Sequence, residues 1–293
     1  MSNPINPTSG KSLFYSMSFE GGPLGGNVKA ITNVFEGKYF RPVNKKRNVL
    51  GFRLLTSFTT GYGGLAVPPF NRFYMGGEDT VRGFDIRTVT PIGFLPSQGS
   101  VPVTFPDPHL DGRFQRVNVP VLVYNFTFPG GDLQGVGNFE YRIPLVGPVS
   151  MDLFFDAGLN GILRRNQLQI DPSGVQQLRS QFPQADINSR IGLAPHSNFK
   201  LRTSTGIQFV VQLPIVNAPF RIYWAYNPNR LNQTLVAPLG SFDKAFVDNL
   251  CKSVSSGVCE NIILPQLNAA TSSRRLNFFD PLRTFRFTIS RTF

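Results

Sequence analysis

A chain of 293 residues can hold one large β domain or two ordinary ones. Phe and Gly occur 28 times each and Pro 24 times, while charged residues make up only 16%, a composition that argues against a helical protein. The net charge of +12 is scattered, apart from Asn44 to Arg47 and the pair Arg274–Arg275, so it fits a polar lumen or anionic head groups at least as well as nucleic acid.

No uninterrupted run of about 18 apolar residues exists, so no helix is expected to cross a membrane. The first residues, MSNPINPTSGKS, lack the basic and then apolar regions of a signal peptide. If the protein is exported, its export signal is expected outside this sequence. A mean hydropathy of −0.08 is what a barrel gives when lipid-facing and water-facing residues alternate along each strand.

Period-2 alternation starts in SLFYSMSFE, where Leu13, Tyr15, Met17 and Phe19 share one face and Ser12, Ser16, Ser18 and Glu20 the other. In NVLGFRLLTSFTT, Leu50, Phe52, Leu54 and Phe58 oppose Gly51, Arg53, Ser57 and Thr59. Between Phe73 and Asp85 the pattern gives way to FYMGGEDTVRGFD. Gly76 and Gly77 permit a sharp reversal there, and Gly83 lets the backbone beside Arg82 approach another surface closely. Alternation returns in KLRTSTGIQFVVQL, with Leu201, Ile207, Phe209, Val211 and Leu213 against Lys200, Arg202, Ser204, Gln208 and Gln212. FRIYWAYN sets Phe220, Ile222, Trp224 and Tyr226 against Arg221, Tyr223 and Asn227. The final stretch sets Phe285, Phe287, Ile289 and Phe293 against Thr284, Arg286, Thr288, Ser290 and Thr292.

Eight strands are predicted, near 12–20, 29–41, 48–60, 136–144, 149–158, 199–213, 219–227 and 282–293, with a further hairpin arm at 121–128. Most exceed the ~5–6 residues usual in globular strands and suit the ~9–11 residues with which a tilted strand crosses a bilayer. Aromatic residues gather near strand ends, as at Tyr39–Phe40 and Trp224–Tyr226, where an interfacial girdle would sit. Short connections (VNKK, VGP, IVNA) alternate with long ones (61–135, 159–198, 228–281), with GGPLGGN as a short exception. That asymmetry is the pattern of outer-membrane barrels.

Cys251 and Cys259 lie eight apart in a stretch read as flexible. They are read as a disulfide closing a small loop in an oxidising compartment, with two free thiols as the alternative. His109 and His196 are isolated, and no metal site or cofactor is expected. No Gly-x-Ser-x-Gly or His-Glu-x-x-His is present, and SGKS lacks the first glycine of a phosphate loop, where Ile5 stands. An enzyme is not expected.

FNRFYMGGEDTVRGFD, GNFEYRIPL, FFDAG, FEGGPLGGN and the terminal FTISRTF occur in the order and spacing of the BamA/TamA outer-membrane assembly proteins, the bacterial surface antigen family, which the chain resembles over its whole length. The resemblance implies an all-β, transmembrane antiparallel barrel, here the C-terminal eight strands of sixteen. Residues 1–293 would form one partial barrel, with 61–135 as a long lumenal or extracellular loop. In the loop motif Gly76, Gly77, Val81, Gly83 and Phe84, the resemblance has Arg82 fold into the lumen and meet Glu140 and Asp156. Phe154 and Gly158 would pack beside it. Glu140 and Asp156 already share the polar faces of their strands by alternation alone. Phe285, Phe287, Ile289 and Phe293 would form the C-terminal targeting signal and one side of a lateral seam, although Ser290 stands where the family usually has glycine.

The implied function is the folding or insertion of nascent β-barrel proteins at the bacterial outer membrane, through edge-strand pairing at that seam. Its partners would be outer-membrane lipid, client barrels, and accessory subunits or the N-terminal half of the barrel. The chain is expected to be a fragment or split-gene product, with a two-chain barrel as a further arrangement. Two other functions are carried: a passive pore with a cationic lumen, and a soluble basic β-domain binding nucleic acid or polysaccharide.

Overall fold

The computed structural model describes residues 7–22, 25–107, 112–213 and 218–289. The strands are β1 (Gly10–Glu20), β2 (Ala30–Val43), β3 (Asn48–Gly61), β4 (Gly93–Pro106), β5 (Phe114–Thr127), β6 (Leu133–Pro144) and β7 (Val149–Gly161). After them come β8 (Gly192–Leu193), β9 (Arg202–Leu213), β10 (Ala218–Asn229), β11 (Asn232–Val236), β12 (Ser241–Phe242), β13 (Arg275–Phe279) and β14 (Arg283–Ile289). Among the described residues, the α-helical segments α1 (Pro172–Gln181), α2 (Lys244–Lys252), α3 (Ser256–Val258) and α4 (Leu264–Ala270) lie in the long connections, with a further helical turn at Cys259–Ile263.

One antiparallel eight-stranded sheet in the order β1-β2-β3-β6-β7-β9-β10-β14 forms the wall. Its two sides differ as alternation dictates. Tyr15, Met17, Phe35, Phe52, Leu54, Phe155, Phe209, Trp224, Phe285, Phe287 and Ile289 stand exposed on one side. On the other, Asn138, Glu140, Arg142, Asp152, Asp156, Gln208 and Arg221 are buried. A continuous exposed apolar side opposite a polar interior is the arrangement of a membrane barrel wall. The sheet is open: among the described residues, β1 and β14 each have one neighbour. Because the two sides alternate residue by residue, a slip of one position would bury every lipid-facing side chain, so the register is strongly specified.

At the end of the wall with the long connections, β4 and β5 form a 14-residue-a-side hairpin, which β12 and β8 extend into a second sheet. Val103, Phe105, Val119, Val121 and Val123 from this hairpin pack against Val247, Ile263 and Leu267 from the helical segments. Cys251 and Cys259 are joined in a disulfide, with Cα atoms 5.3 Å apart. A separate cluster of Leu122, Val175, Phe182 and Ile187 seats α1.

The wall strands follow the expected spans, but the long connections differ from the sequence reading. The arm expected at 121–128 is β5, which starts at Phe114, and its partner β4 was not expected. The stretch around the cysteines, read as flexible, is helical. The strand expected from 199 begins at Arg202, and of the strand expected at 282–293 the structure gives Arg283–Ile289. Ser290, Thr292, Phe293, His109 and most of the IVNA turn lie outside the described residues.

Candidate functional site

The loop between β3 and β4 folds back against the inner side of the wall. Its neck is closed by paired bonds between Met75 and Val89, Met75 N–H to Val89 O at 3.2 Å and Val89 N–H to Met75 O at 2.9 Å. At the tip, Gly77 N–H donates to Phe84 O at 3.1 Å, and Gly76 N–H donates to Thr80 Oγ1 at 2.8 Å. Met75, Val81, Phe84 and Val89 are buried together with Val136 of β6, so the loop brings its own apolar base to the wall. Gly158 of β7 lies directly beneath. A Cβ there would sit 2.5 Å from both Met75 Cε and Val81 Cγ2, so the missing side chain is the space the loop occupies.

Arg82 sits at the centre, 1% exposed. Its Nε donates to Asp156 Oδ2 and its Nη2 to Asp156 Oδ1, both at 2.7 Å, the two-pronged geometry that suits a planar guanidinium. The Arg82 backbone N–H donates to Asp156 Oδ2 at 3.0 Å, and Nη1 donates to Glu140 Oε1 at 2.7 Å. Phe154 lies under the guanidinium, its ring centroid 4.0 Å from Cζ. Burial alone pulls the Arg82 pKa down, but the charges of Asp156 and then Glu140 outweigh it and hold the group above its ordinary value. Gly83 follows at φ +85°, and a Cβ on it would lie 2.4 Å from Asn227 Oδ1 and 2.8 Å from Ala225 Cβ. No other residue lets the chain lie this close to β9 and β10.

The structure therefore brings Arg82, Glu140, Asp156, Phe154, Gly158 and the loop glycines into one place. Phe285, Phe287 and Ile289 stand apart, exposed on the outer side of β14, and Cys251–Cys259 lies among the helices of the long connections.

Several residues of the cluster had no assigned role in the sequence reading. Asn138 Nδ2 donates to Asp156 Oδ1 at 2.8 Å and to Thr80 O at 2.7 Å, linking the carboxylate to the loop backbone. Arg142 Nε donates to Glu140 Oε2 at 2.8 Å, so Glu140 bridges two arginines. Arg53 of β3 joins Glu36 at 2.7 Å and donates to Asp79 O at 2.6 Å. All lie on the polar side of their strands, and parity with Glu140 or Asp156 was the available signal. Outside the wall, Arg72 donates to Val67 O at 2.9 Å, to Pro129 O at 3.0 Å and to Gln167 O, stitching three connections together. Burial pulls its pKa below the usual arginine value, opposed in part by the charges of Tyr74 and Asp132.

The family model described as the Omp85 superfamily domain matches residues 1–237. The chain belongs to the Omp85 superfamily. The motif resemblance points to the same group of proteins. A curated Omp85-type relative, "Outer membrane protein assembly factor BamA" of Nitratidesulfovibrio vulgaris strain Hildenborough, is 28% identical over 156 residues, which is 53% of this chain and 16% of that protein. Among solved structures, BamA from Haemophilus ducreyi lacking POTRA domains 1-3 matches with a TM-score of 0.50 and 18% identity, over 78% of this chain and 38% of that one. At that identity the likeness is one of fold. The chain thus spans well under half the length of the Omp85 relatives it matches.

Proposed function

We propose that this chain forms part of the barrel wall of an outer-membrane protein assembly factor, which folds or inserts client β-barrel proteins. The observation that carries the reading is the pinned loop. A transmembrane wall with a buried arginine clamped on carboxylates from two adjacent strands has a second structural element fixed inside it, and a simple conduit has no need of one. Family membership and the likeness to an outer membrane protein assembly factor support the same reading.

In this reading the long connections and the hairpin cap face the cell exterior and the short turns face the periplasm. The ion cluster holds the loop against the inner wall. The outward side of β14, with Phe285, Phe287 and Ile289, meets lipid and one edge of the seam at which a client strand pairs. The client is a nascent barrel strand whose unpaired backbone groups seek an edge, and hydrocarbon offers them no other partner.

The test uses Arg82→Ala in the intact gene product, expressed as the sole copy. Release of the loop should accompany a lower folded yield of client barrels, read from heat-modifiable gel mobility. A loop that becomes protease-sensitive while client folding proceeds at the wild-type level would falsify the assignment.

A further inference from the structure

The arginine loop touches more than the two strands that hold its arginine. We infer that it is a two-sided strap, fixed by Arg82 to β6 and β7 and by the backbone after Arg82 to the inner side of β14, whose place in the sheet depends on it. The inference rests on the pinned-loop reading above and goes beyond it by assigning the strap's second anchor to Thr284, Arg286, Thr288 and Asn227.

Every inward residue of β14 between Arg283 and Ile289 contacts the loop. Thr284 Oγ1 donates to Gly83 O at 2.6 Å. Arg286 Nη1 reaches Phe84 O at 3.4 Å, and Nη2 pairs with the Asp85 carboxylate. Thr288 Oγ1 donates to Glu78 Oε2 at 3.1 Å. The Gly83 carbonyl accepts a second bond, from Asn227 Nδ2 of β10 at 2.9 Å. The same Asn227 amide donates to Pro281 O at 2.8 Å, and Asn227 N–H donates to Leu282 O at 2.9 Å. Asn227 therefore fastens the loop and the entry to β14 together. It is fully buried.

These contacts matter because, among the described residues, β14 is an edge strand of the wall. Among the described residues it pairs only with β10, and Phe285, Phe287 and Ile289 on its outer side are exposed. The Arg286–Asp85 pair is itself open to solvent and individually weak. The fastening is centred instead on the Gly83 carbonyl, reached from Thr284 and Asn227. Arg82 is clamped on Asp156 and Glu140, and Gly83, Phe84 and Asp85 after it carry the contacts to β14, so the loop backbone links the two anchors.

The experiment is hydrogen–deuterium exchange on the full protein in detergent micelles, comparing residues 283–289 with residues 48–61 of β3 as an internal standard. Arg82→Ala should release residues 76–90 to protease and raise exchange in 283–289 by about tenfold or more, with β3 unchanged. Thr284→Val combined with Arg286→Gln, which leaves the arginine cluster intact, should raise exchange in 283–289 in the same way. A cross-link from Asp85→Cys to Arg286→Cys should restore slow exchange in the Arg82→Ala background. A freed loop with β14 exchange unchanged overturns the strap. If Arg82→Ala leaves the loop protected, the pinning reading fails, and Thr284→Val/Arg286→Gln alone decides the second anchor: faster exchange in β14 supports it and unchanged exchange overturns it.

Discussion

At the scale of single residues, the two carboxylates that meet Arg82 are unequal. Among the described residues, Asp156 accepts three hydrogen bonds from Arg82 and one from Asn138. Glu140 accepts one from Arg82 and keeps Arg142 when Arg82 is lost. Removing one partner of a fully buried pair costs roughly 3–5 kcal/mol, less where water can enter. Asp156→Ala should therefore free the loop more than Glu140→Ala, read as the rate of proteolysis within residues 76–90. Equal rates would show that the two carboxylates share the load. Arg82→Lys should rescue only in part, since an ammonium cannot span both oxygens of Asp156 as the guanidinium does. The double reversal Arg82→Glu with Asp156→Arg should recover more loop protection than either single change. Recovery should fall short of wild type, because the residue-82 N–H and Asn138 would then face an arginine in place of an acceptor. Of this cluster, Arg82, Glu140 and Asp156 could be named from the sequence because a motif and strand parity coincide on them. Asn138 and Arg142 carried only the parity, which every inward residue shares.

At the scale of the element, β14 shows how alternation separates two chemistries on adjacent residues. Phe287 is 73% exposed on the outer side, whereas Thr288 faces inward onto Glu78. A lysine at mid-bilayer on the lipid side costs on the order of 2–4 kcal/mol. Phe287→Lys should lower membrane yield, while Thr288→Lys places its ammonium near the Glu78 carboxylate and should insert normally. Equal yields would show the assignment of sides to be wrong. The same alternation made the wall legible, since it persists over many residues in each wall strand. It failed for β4 for a physical reason. Val101, Val103 and Phe105 do alternate, but Pro96, Pro102 and Pro106 break the reading, because proline cannot donate to a ladder. Among the described residues no strand pairs with the second side of β4 beyond Gly93 and Phe94, and at Thr104 the Gln266 side chain bonds the backbone instead, so the missing proline N–H groups cost the ladder nothing. The helices escaped for a different reason: they are short, at 9, 3 and 7 residues, and stabilised by tertiary contact rather than by intrinsic propensity.

At the scale of the whole molecule, two structures are held in different ways. The wall is a continuous ladder of antiparallel pairs, and the cap is a small core in which a hairpin packs on α2, α3 and α4. The Cys251–Cys259 disulfide belongs wholly to the cap, joining Cys251 in α2 to the helical turn at Cys259, eight positions further on. A disulfide typically contributes about 2–4 kcal/mol by restricting the unfolded chain, and here that restriction acts on the cap alone. Replacing both cysteines by serine should leave the heat-modifiable mobility of the barrel unchanged. It should expose the segment around residues 252–258 to protease and lower the temperature at which the cap opens. A matching loss of barrel stability would mean that cap and wall unfold as one unit. If the cap faces the cell exterior, as proposed, the disulfide forms in an oxidising compartment and stays closed there. Alkylation of surface-exposed material without reductant, followed by mass spectrometry, should then leave both cysteines unmodified. Two alkylated cysteines in that material would place the cap on the wrong side of the membrane or leave the pair unformed in the cell, and with it would go the orientation assigned to every long connection.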